Sequence, residues 1–379
     1  TKDIKKLLLK QAIPSSVGIL FMSVNILVDT IFVGQWVGSL AIAAVSVVLP
    51  ITFLISSLGM AIGVGGGSVL SRALGSGDKE KADIVFANQI MMTFGLASIF
   101  VLLGLFFSNE MLLIFGANGN ILAPAKEFFY PVLLGVPFLA LCMMGNNVIR
   151  AEGKPSFAMI SMIIPAIVNI ILDIVFIKFM DLGLFGAALA TSISYTSAFL
   201  FVLWFFIYKT ELKLQLHHFK FHKKIVKEIT SLSFVTFSRQ GVVSILAIIL
   251  NHTLYTFGGE HSVTVYGIIS RMLMFALFPV LGITQAFLPI AGFNYGAKNY
   301  HRVKETISVS IKYAAVLATL IFVVILFFAK PIVSVFTTDQ LVIDETPNAL
   351  RWVFTASPII AIQLIGAAYC QAAGKAKKA

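Results

Sequence analysis

The chain has 379 residues, of which 58% are hydrophobic and only 12% are charged, and its mean hydropathy is +0.95. Soluble globular domains carry about twice this share of charged residues, so the composition excludes an ordinary soluble enzyme or binding domain. The formal net charge is +11, but the basic residues are scattered between long apolar runs, which argues against nucleic-acid binding. The composition indicates a polytopic membrane protein whose first partner is the lipid bilayer.

Long apolar runs follow one another along the whole chain. A membrane-spanning helix needs about 20 mostly apolar residues, because the hydrocarbon core of a bilayer is about 30 Å thick. The sequence predicts ten such spans, at residues 8–36, 40–70, 84–108, 124–149, 156–180, 184–208, 228–258, 262–292, 305–328 and 346–371. Several of these runs are longer than a span requires, so we expect tilted or kinked helices in an all-α fold.

Lysine and arginine are concentrated in every second connection between the predicted spans. They precede the first span and follow the second, fourth, sixth, eighth and tenth, whereas the connections at 34–39 and 257–262 contain neither residue. Loops rich in lysine and arginine are retained on the cytoplasmic side of a membrane. We therefore predict a multi-pass protein whose N-terminus lies in the cytoplasm.

The second half of the chain repeats the first at a distance of 221 residues. The offset holds without a gap from about residue 38 to residue 154, where "AEGKP" falls on "AAGKA". The superposed pairs include Gly38 with Gly259, Gly75 with Gly296, Phe107 with Phe328, Pro137 with Pro358 and Gly153 with Gly374. A repeat of this length indicates two homologous halves.

The repeat divides the chain into two lobes and a linker. We predict an N-terminal six-helix lobe at 1–207, a cytoplasmic linker at 208–224 with the composition of an amphipathic surface helix, and a C-terminal lobe at 225–379. An even number of spans makes the second lobe start on the same side as the first, so the repeats are parallel. The second lobe contains four spans, and we expect a twelve-span protein of which about ten are present and the last two are missing.

Three polar residues lie at one predicted depth inside the apolar spans. Asp29 is seven residues from the outer end of the first span, Asp173 eight from the outer end of the fifth, and Thr191 eight residues into the sixth. At 1.5 Å per residue, all three lie about 10–12 Å below the outer surface. Asn25 and Asn169 lie one turn further in, on the faces of Asp29 and Asp173.

Carboxylates are costly to insert into lipid, so an intramembrane pair suggests a function. With amide and hydroxyl oxygens nearby, two carboxylates can ligate Na⁺ or share and release protons. We predict that Asp29, Asn169, Asp173 and Thr191 form a cation-coupling site, with Na⁺ or H⁺ bound at Asp29 and Asp173. The alternative is that both aspartates make helix-packing hydrogen bonds or line a wet cavity.

Other polar residues lie deep in the second lobe. Arg239, Gln240 and Arg271, together with Asn25 of the first lobe, could contact a substrate in a cavity, although single residues of this kind more often snorkel or bond neighbouring helices. The six histidines show no metal-ligand spacing. No hydrolase-like arrangement of residues is visible, so we predict neither enzymatic activity nor a cofactor.

The motifs resemble those of the multidrug and toxic compound extrusion (MATE) transporters over the whole chain. They are "VDTIFVG" in span one, "SRALGSGDKEKA" after span two, "RAEGKP" after span four, "NIILD" in span five, "GAALAT" opening span six, and "NYGAKNYHRV" and "QAAGKAKK" in the second half. Singly these motifs are weak, but their order and spacing are specific.

The resemblance implies two six-helix bundles that form a V around a central cavity. It implies a monomer of the plasma membrane, in bacteria the cell or inner membrane, that exports hydrophobic, often cationic compounds by alternating access in exchange for H⁺ or Na⁺. The cation site of the family falls here on Asp29, Asn169, Asp173 and Thr191. Some members use carboxylates on spans seven and ten, which this chain lacks, and this departure favours the DinF-like subgroup.

A flippase for lipid-linked saccharides, from the same superfamily, is the alternative. Such a protein should present a strongly cationic cavity to a pyrophosphate group. The predicted site of the first lobe is acidic, which favours drug export, although Arg239 and Arg271 keep the flippase open.

Overall fold

The computed structural model describes residues 3–334 and 340–378. The side chains of Ser39 and Lys378 and some between 243 and 275, that of Arg271 among them, lie outside the description. In these parts of the chain the structure is helical, and no strand is present. The helices are α1 (Ile4–Trp36), α2 (Ser39–Ser76), α3 (Lys79–Phe106), α4 (Ser108–Ile114), α5 (Leu122–Ala151), α6 (Pro155–Asp173), α7 (Gly183–Tyr208), α8 (Lys223–Gly296), α9 (Tyr300–Ser334), α10 (Gln340–Thr355) and α11 (Ser357–Ala372).

Several helices begin and end where the sequence supplies a cap. The side chain of Asp3 accepts a hydrogen bond from the amide of Lys5 at 2.9 Å, and Asp78 accepts one from the amide of Lys81 at 3.0 Å. These bonds satisfy first-turn amides that have no partner within the helix. The end of α2 is capped by Gly77, whose φ of 79° is a left-handed conformation that glycine adopts without a Cβ clash.

Eight helices within the described residues are long and apolar enough to cross a membrane, and a ninth span exists if α10 and α11, bent by 40°, are counted as one. The seventh and eighth predicted spans both lie in α8, whose backbone leaves helical geometry at Gly259 with φ 65° and ψ −163°. Of α8, only Ala276–Gly296 is among the eight. The number is lower than the ten predicted because many side chains before Ala276 lie outside the description.

Deviations from helical backbone recur at the predicted offset of 221 residues. Phe107 and Phe328 interrupt their helices with φ values of −120° and −111°. The positions with positive φ include the equivalent pairs Gly38 and Gly259, Gly77 and Lys298, and Gly153 and Gly374. Two halves that bend at equivalent positions are the expected result of an internal repeat.

Two of the hydrophobic cores are each built mainly from one half, and a third joins α2, α3 and α5 to Ile229 and Leu232 of α8. One core joins α1, α2, α5 and α7 around residues such as Val33 and Phe129. Another joins α8, α9 and α11 around Phe287, and it includes Ile4 and Leu8 from the first turns of α1. The lobe boundary at 207 stays a prediction, and in packing the start of α1 lies with the second half.

The halves meet where α2 crosses α8, at the end of the molecule that contains the α2–α3 turn; we call it the basic end. Gly75 lies on the carbonyl of Phe293, and Gly296 lies on the carbonyl of Arg72, so a Cβ on either glycine would collide with that backbone. Gly75 and Gly296 are equivalent in the repeat, and so are Arg72 and Phe293. The crossing is therefore a contact of approximate twofold symmetry.

Arg72 ties the halves together beside this crossing. Its Nη2 pairs with Oε1 of Glu228 at 2.7 Å, and its Nη1 donates to the carbonyl of Ala372 and to Oγ of Ser68, each at 2.8 Å. Ala372 ends α11, where carbonyl groups have no partner within the helix. Because the Arg72 side chain is only 13% exposed, water competes little for these bonds, and they hold the basic end closed.

The linker is not the amphipathic helix predicted from its composition. Residues 209–222 join α7 to α8, and the one helical stretch among them is Leu216–His218, a short 3-10 helix. Side chains of α3 hold the backbone of this segment: Oδ1 of Asp83 accepts from the amide of Lys213 at 2.9 Å, and Asn88 bonds to the segment as well. These bonds occupy backbone groups that a helix would need for itself.

Lys298 is a non-glycine residue in a left-handed position, with φ 56°. This conformation costs such a residue about 1–2 kcal/mol, which the lower entropy of its unfolded chain partly offsets. We expect Lys298→Gly to raise the free energy of unfolding in mixed micelles by roughly 0.5–1 kcal/mol. The reverse change at the equivalent position, Gly77→Lys, should lower it by a similar amount. Unchanged stability in both variants would contradict the expectation.

Candidate carboxylate site in the first half

Asp29 and Asp173 lie inside two of the helices that are long enough to cross a membrane. Asp29 is in the last two turns of α1, and Asp173 is the last residue of α6 and is completely buried. After Asp173 the chain continues through Ile174–Phe179 as a turn of π-helix. Such turns are rare and are frequent at functional sites, because the wider turn re-aims side chains. The hydrophobic pattern of the span contains no signal for it.

The two carboxyl groups are within hydrogen-bonding reach of each other. Oδ1 of Asp29 and both Oδ atoms of Asp173 are buried, and no donor among the described residues bonds to them. Two carboxylates can only accept hydrogen bonds, so a direct bond between them requires a proton. The pair therefore offers three unsatisfied acceptor atoms to a cation, in a place where two uncompensated negative charges would be costly.

Two amides connect α1 to α6 one turn below the carboxylates. Nδ2 of Asn25 donates to Oδ1 of Asn169 at 2.7 Å and to the carbonyl of Ala166 at 3.4 Å. Asn169 is buried, whereas Asn25 is half-buried. The structure thus places Asn25, Asn169 and the two aspartates along one interface between α1 and α6.

Thr191 and Tyr195 lie on α7. Oγ1 of Thr191 donates to the carbonyl of Ala187 at 2.9 Å within its own helix, which leaves its oxygen able to accept a hydrogen bond or to ligate a cation, and its place in the site stays a prediction. Tyr195, one turn further along, lies close enough to Asp29 to interact with its charge. The prediction missed Tyr195, although its i+4 spacing from Thr191 places both on one helix face.

A cavity of about 100 Å³ lies next to this site, between α1, α2, α5, α6 and α7. Its walls are mostly apolar and include Met22, Met143 and Met162, while Asn25 and Tyr195 contribute polar atoms. Methionine side chains are flexible and polarizable, so they adapt to ligands of different shape. The cavity and the carboxylate pair therefore share two residues, Asn25 and Tyr195.

The second-half residues with a predicted role lie elsewhere. Arg239 is half-buried and Gln240 is exposed on α8, and neither lines the cavity of the first half. The side chain of Arg271 lies outside the described residues. A substrate role for these three residues stays a prediction.

A second cluster of possible ligands was not expected from the spacing of the histidines. Ligand atoms of Glu80, His217 and His218 lie within 4.8 Å of one another at the basic end. However, Nδ1 of His218 accepts a hydrogen bond from the amide of Gln215. In the neutral ring the proton is then on Nε2, which leaves His218 without a free nitrogen for a metal.

Comparison with known proteins places this geometry in a family. The MatE family model matches residues 14–175 and 237–379. The multidrug export protein MepA of Staphylococcus aureus is 28% identical over 375 residues, which cover 99% of this chain and 83% of MepA. A crystal structure of a MATE mutant matches with a TM-score of 0.94 at 27% identity, covering 100% of this chain and 84% of that one. The outward-facing conformation of a multidrug resistance MATE family transporter matches over the same shares of the two chains at 27% identity, with a TM-score of 0.93.

These matches confirm the predicted all-α membrane fold of two helical bundles. They do not separate subgroups, so the DinF-like character stays a prediction. They also assign no residue of the carboxylate site, whose role has to be argued from its own geometry.

The bond between Asn25 and Asn169 should stabilise the interface of α1 and α6. Interhelical hydrogen bonds in membranes contribute about 1 kcal/mol, so the double-mutant cycle of Asn25→Ala and Asn169→Ala should show a coupling energy of that size. The measurement is unfolding in mixed micelles. A control cycle of Asn25→Ala with Asn88→Ala, which share no bond, should be additive. Additivity in both cycles would show that the Asn25–Asn169 bond contributes nothing.

Proposed function

Because the chain belongs to the MatE family, we propose that it exports hydrophobic, often cationic compounds across the plasma membrane in exchange for H⁺ or Na⁺. Members of this family are transport proteins, so the chain is a transporter and not an enzyme. The relative MepA is named for multidrug export, which supports export over the flippase alternative. The mostly apolar lining of the cavity supports it as well, because it lacks the cationic groups that a pyrophosphate requires.

The observation that carries the coupling proposal is the pair formed by the buried Asp173 and the half-buried Asp29, whose Oδ1 is itself buried. An ionised aspartate within a span costs about 2.5–3.5 kcal/mol, and two adjacent ones repel each other in addition. A proton or Na⁺ between the carboxylates would remove this cost. The occupied and unoccupied pair would therefore favour different packings of α1 against α6 and α7.

Asn25 and Tyr195, which belong to both the carboxylate site and the cavity, suggest how a bound cation could affect a substrate. Asn25 bonds to the wall of the carboxylate site and also lines the cavity, and Tyr195 lies near Asp29 and lines the cavity too. A cavity of about 100 Å³ is smaller than the roughly 300–1,000 Å³ of drug-sized sites, so it has to widen when a substrate enters. Cation binding would oppose or favour that widening through Asn25 and Tyr195.

The orientation follows from the distribution of positive charge. The positive-inside rule puts the basic end in the cytoplasm, as the sequence predicts. Arg72 and the α2–α8 crossing close the molecule at this end, which corresponds to an outward-facing state. Transport by alternating access then requires these contacts to separate during each cycle.

The coupling proposal predicts that Asp29→Asn and Asp173→Asn each strongly reduce ion-driven efflux. We expect ethidium efflux from cells to fall at least about fivefold, which is the smallest factor typical of coupling between two sites. Asp181→Asn, which changes an exposed aspartate beyond the π-helical turn, is the matched control and should transport normally. Expression and thermal unfolding of all variants must be comparable.

Separate gradients distinguish the ions. If H⁺ is the coupling ion, a pH gradient alone should drive efflux by the unsubstituted protein in vesicles, and a Na⁺ gradient alone should not; the reverse result would identify Na⁺. Full efflux in the Asp29→Asn, Asp173→Asn double variant would move coupling away from this pair.

Alternating access predicts that a covalent lock at the α2–α8 crossing stops transport. A Cβ placed on Gly292 lies 3.0 Å from Cβ of Ser71, and a shift of about half an ångström gives disulfide geometry. With the native cysteines replaced by alanine, oxidised Ser71→Cys, Gly292→Cys protein should lose efflux, and reduction should restore it.

The chain offers a control with the same spacing inside one lobe. A Cβ on Gly135 of α5 lies 3.0 Å from Cβ of Ser192 of α7. The oxidised Gly135→Cys, Ser192→Cys pair should leave the lobes free to separate and preserve most of the efflux. Continued transport with the α2–α8 disulfide formed would rule out opening at this crossing.

A further inference from the structure

The segment between the two halves exposes apolar and basic side chains together. Four of its apolar residues are exposed, from 92% for Leu216 and 64% for Phe221 to 39% for Phe219 and 38% for Leu214. Eight exposed side chains of this segment and of the start of α8 form what we call the linker surface. They are Lys213, Leu214, Leu216, Phe219, Lys220, Phe221, Lys223 and Lys224. A soluble surface rarely leaves leucine and phenylalanine so open next to one another.

This exposure is fixed by the fold. The neighbouring Leu212 is buried in a core with α2, α3 and α5, and His218 is 4% exposed. The side chain of Asn88 donates to the carbonyl of Lys220 at 3.2 Å and accepts from the amide of His222 at 3.3 Å. Residues on both sides of the exposed ones are therefore anchored to the first half, and the apolar side chains are held outward.

The linker surface lies at the level of the membrane boundary. Asn88 is nine residues into α3, about 14 Å along the helix from its basic start. The end of α7, from which the segment leaves, carries exposed Trp204 and Tyr208, with Nζ of Lys209 5.9 Å from the centre of the Trp204 ring. Tryptophan, tyrosine and lysine in this arrangement are typical of the interface between lipid and water.

The charge of the segment has one sign. Between Glu211 and Glu228 there is no acidic residue, and the lysines are Lys213, Lys220, Lys223, Lys224 and Lys227. Lysines beside apolar side chains at a membrane boundary attract anionic headgroups, while the apolar groups enter the region between headgroups and acyl chains. The lysines and the apolar side chains of the linker surface therefore fit the same partner, an anionic lipid.

We propose that the linker surface binds anionic phospholipids of the leaflet at the basic end, with Leu216 and Phe221 inserted among the lipids and the lysines on the phosphate groups. This interaction is separate from the cation and substrate sites, and it does not depend on the proposed transport function. It docks the connection between the two halves onto the membrane.

The test is a fluorescent reporter at Leu216. Protein with Cys142→Ala, Cys370→Ala and Leu216→Cys is labelled with an environment-sensitive dye and placed in nanodiscs of phosphatidylcholine with or without phosphatidylglycerol. With phosphatidylglycerol we expect a blue-shifted dye that is quenched by lipids spin-labelled near the headgroup. Replacing one lysine at an anionic surface costs about fivefold in affinity, so Lys220→Gln should raise the phosphatidylglycerol content required by a factor of this order.

A variant with four substitutions sharpens the test. The dye's response to phosphatidylglycerol should disappear in the variant that combines Lys213→Gln, Lys220→Gln, Lys223→Gln and Lys224→Gln. Lys298→Gln with Lys304→Gln, which removes exposed lysines from the α8–α9 turn and the start of α9 at the basic end, should preserve it. The same dye signal in pure phosphatidylcholine, or in the fourfold variant with unchanged thermal stability, would overturn the lipid specificity. A dye that lipid-borne quenchers never reach would overturn insertion, and a response to soluble glycerophosphoglycerol alone would reduce the surface to a headgroup-binding patch.

Discussion

The close crossing of α2 and α8 is the constraint on which the relation of the two halves depends. Gly75 and Gly296 let the two backbones touch. Gly75 lies on the carbonyl of Phe293 and Gly296 on that of Arg72, and both the glycines and their partners are equivalent pairs in the repeat. Ser71 and Gly292, which also contact, are themselves equivalent positions, so the approximate twofold axis of the repeat passes between them. A side chain larger than hydrogen at either glycine would push the helices apart, and with them every contact at the basic end.

The contacts around this crossing are partly polar and partly apolar, since Val69, Leu70 and Ala73 of α2 share a hydrophobic core with Ile229 and Leu232 of α8. Arg72 bonds to Glu228 and to the end of α11, and Oγ of Ser68 donates to the carbonyl of Gln371 at 2.6 Å. Polar interfaces lose less on exposure to water than apolar ones do, because water replaces their hydrogen bonds. The polar part of this interface would therefore lower the cost of the opening that the proposed alternating access requires.

The sequence predicted the main features of the site, because each left a pattern that can be read locally. The repeat follows from residue matches at one offset. Depth follows from counting residues from the span ends, and this count places Asp29 and Asp173 on one level, as the structure does. Asn25 and Asn169 follow from the helical period.

Other features could not be predicted because they depend on contacts between distant segments. The linker at 209–222 is not an α-helix, since Asp83 and Asn88 of α3 bond to its backbone groups. Two further features could not be predicted for the same reason. They are the π-helical turn after Asp173 and the set of partners that Arg72 binds. Tyr195 is different, because its spacing from Thr191 carried a signal that the prediction did not use.

The course of α1 connects these two regions of the molecule. Its first turns, with Ile4, Leu8 and Ala12, are buried in the core of the second half, whereas its last turns carry Asp29 against α6 of the first half. Pro14 lies between the two parts and interrupts the hydrogen-bond ladder of the helix. If cation binding at Asp29 repacks α1 against α6, as the coupling proposal requires, the change reaches the second half as well, because the same helix is held there.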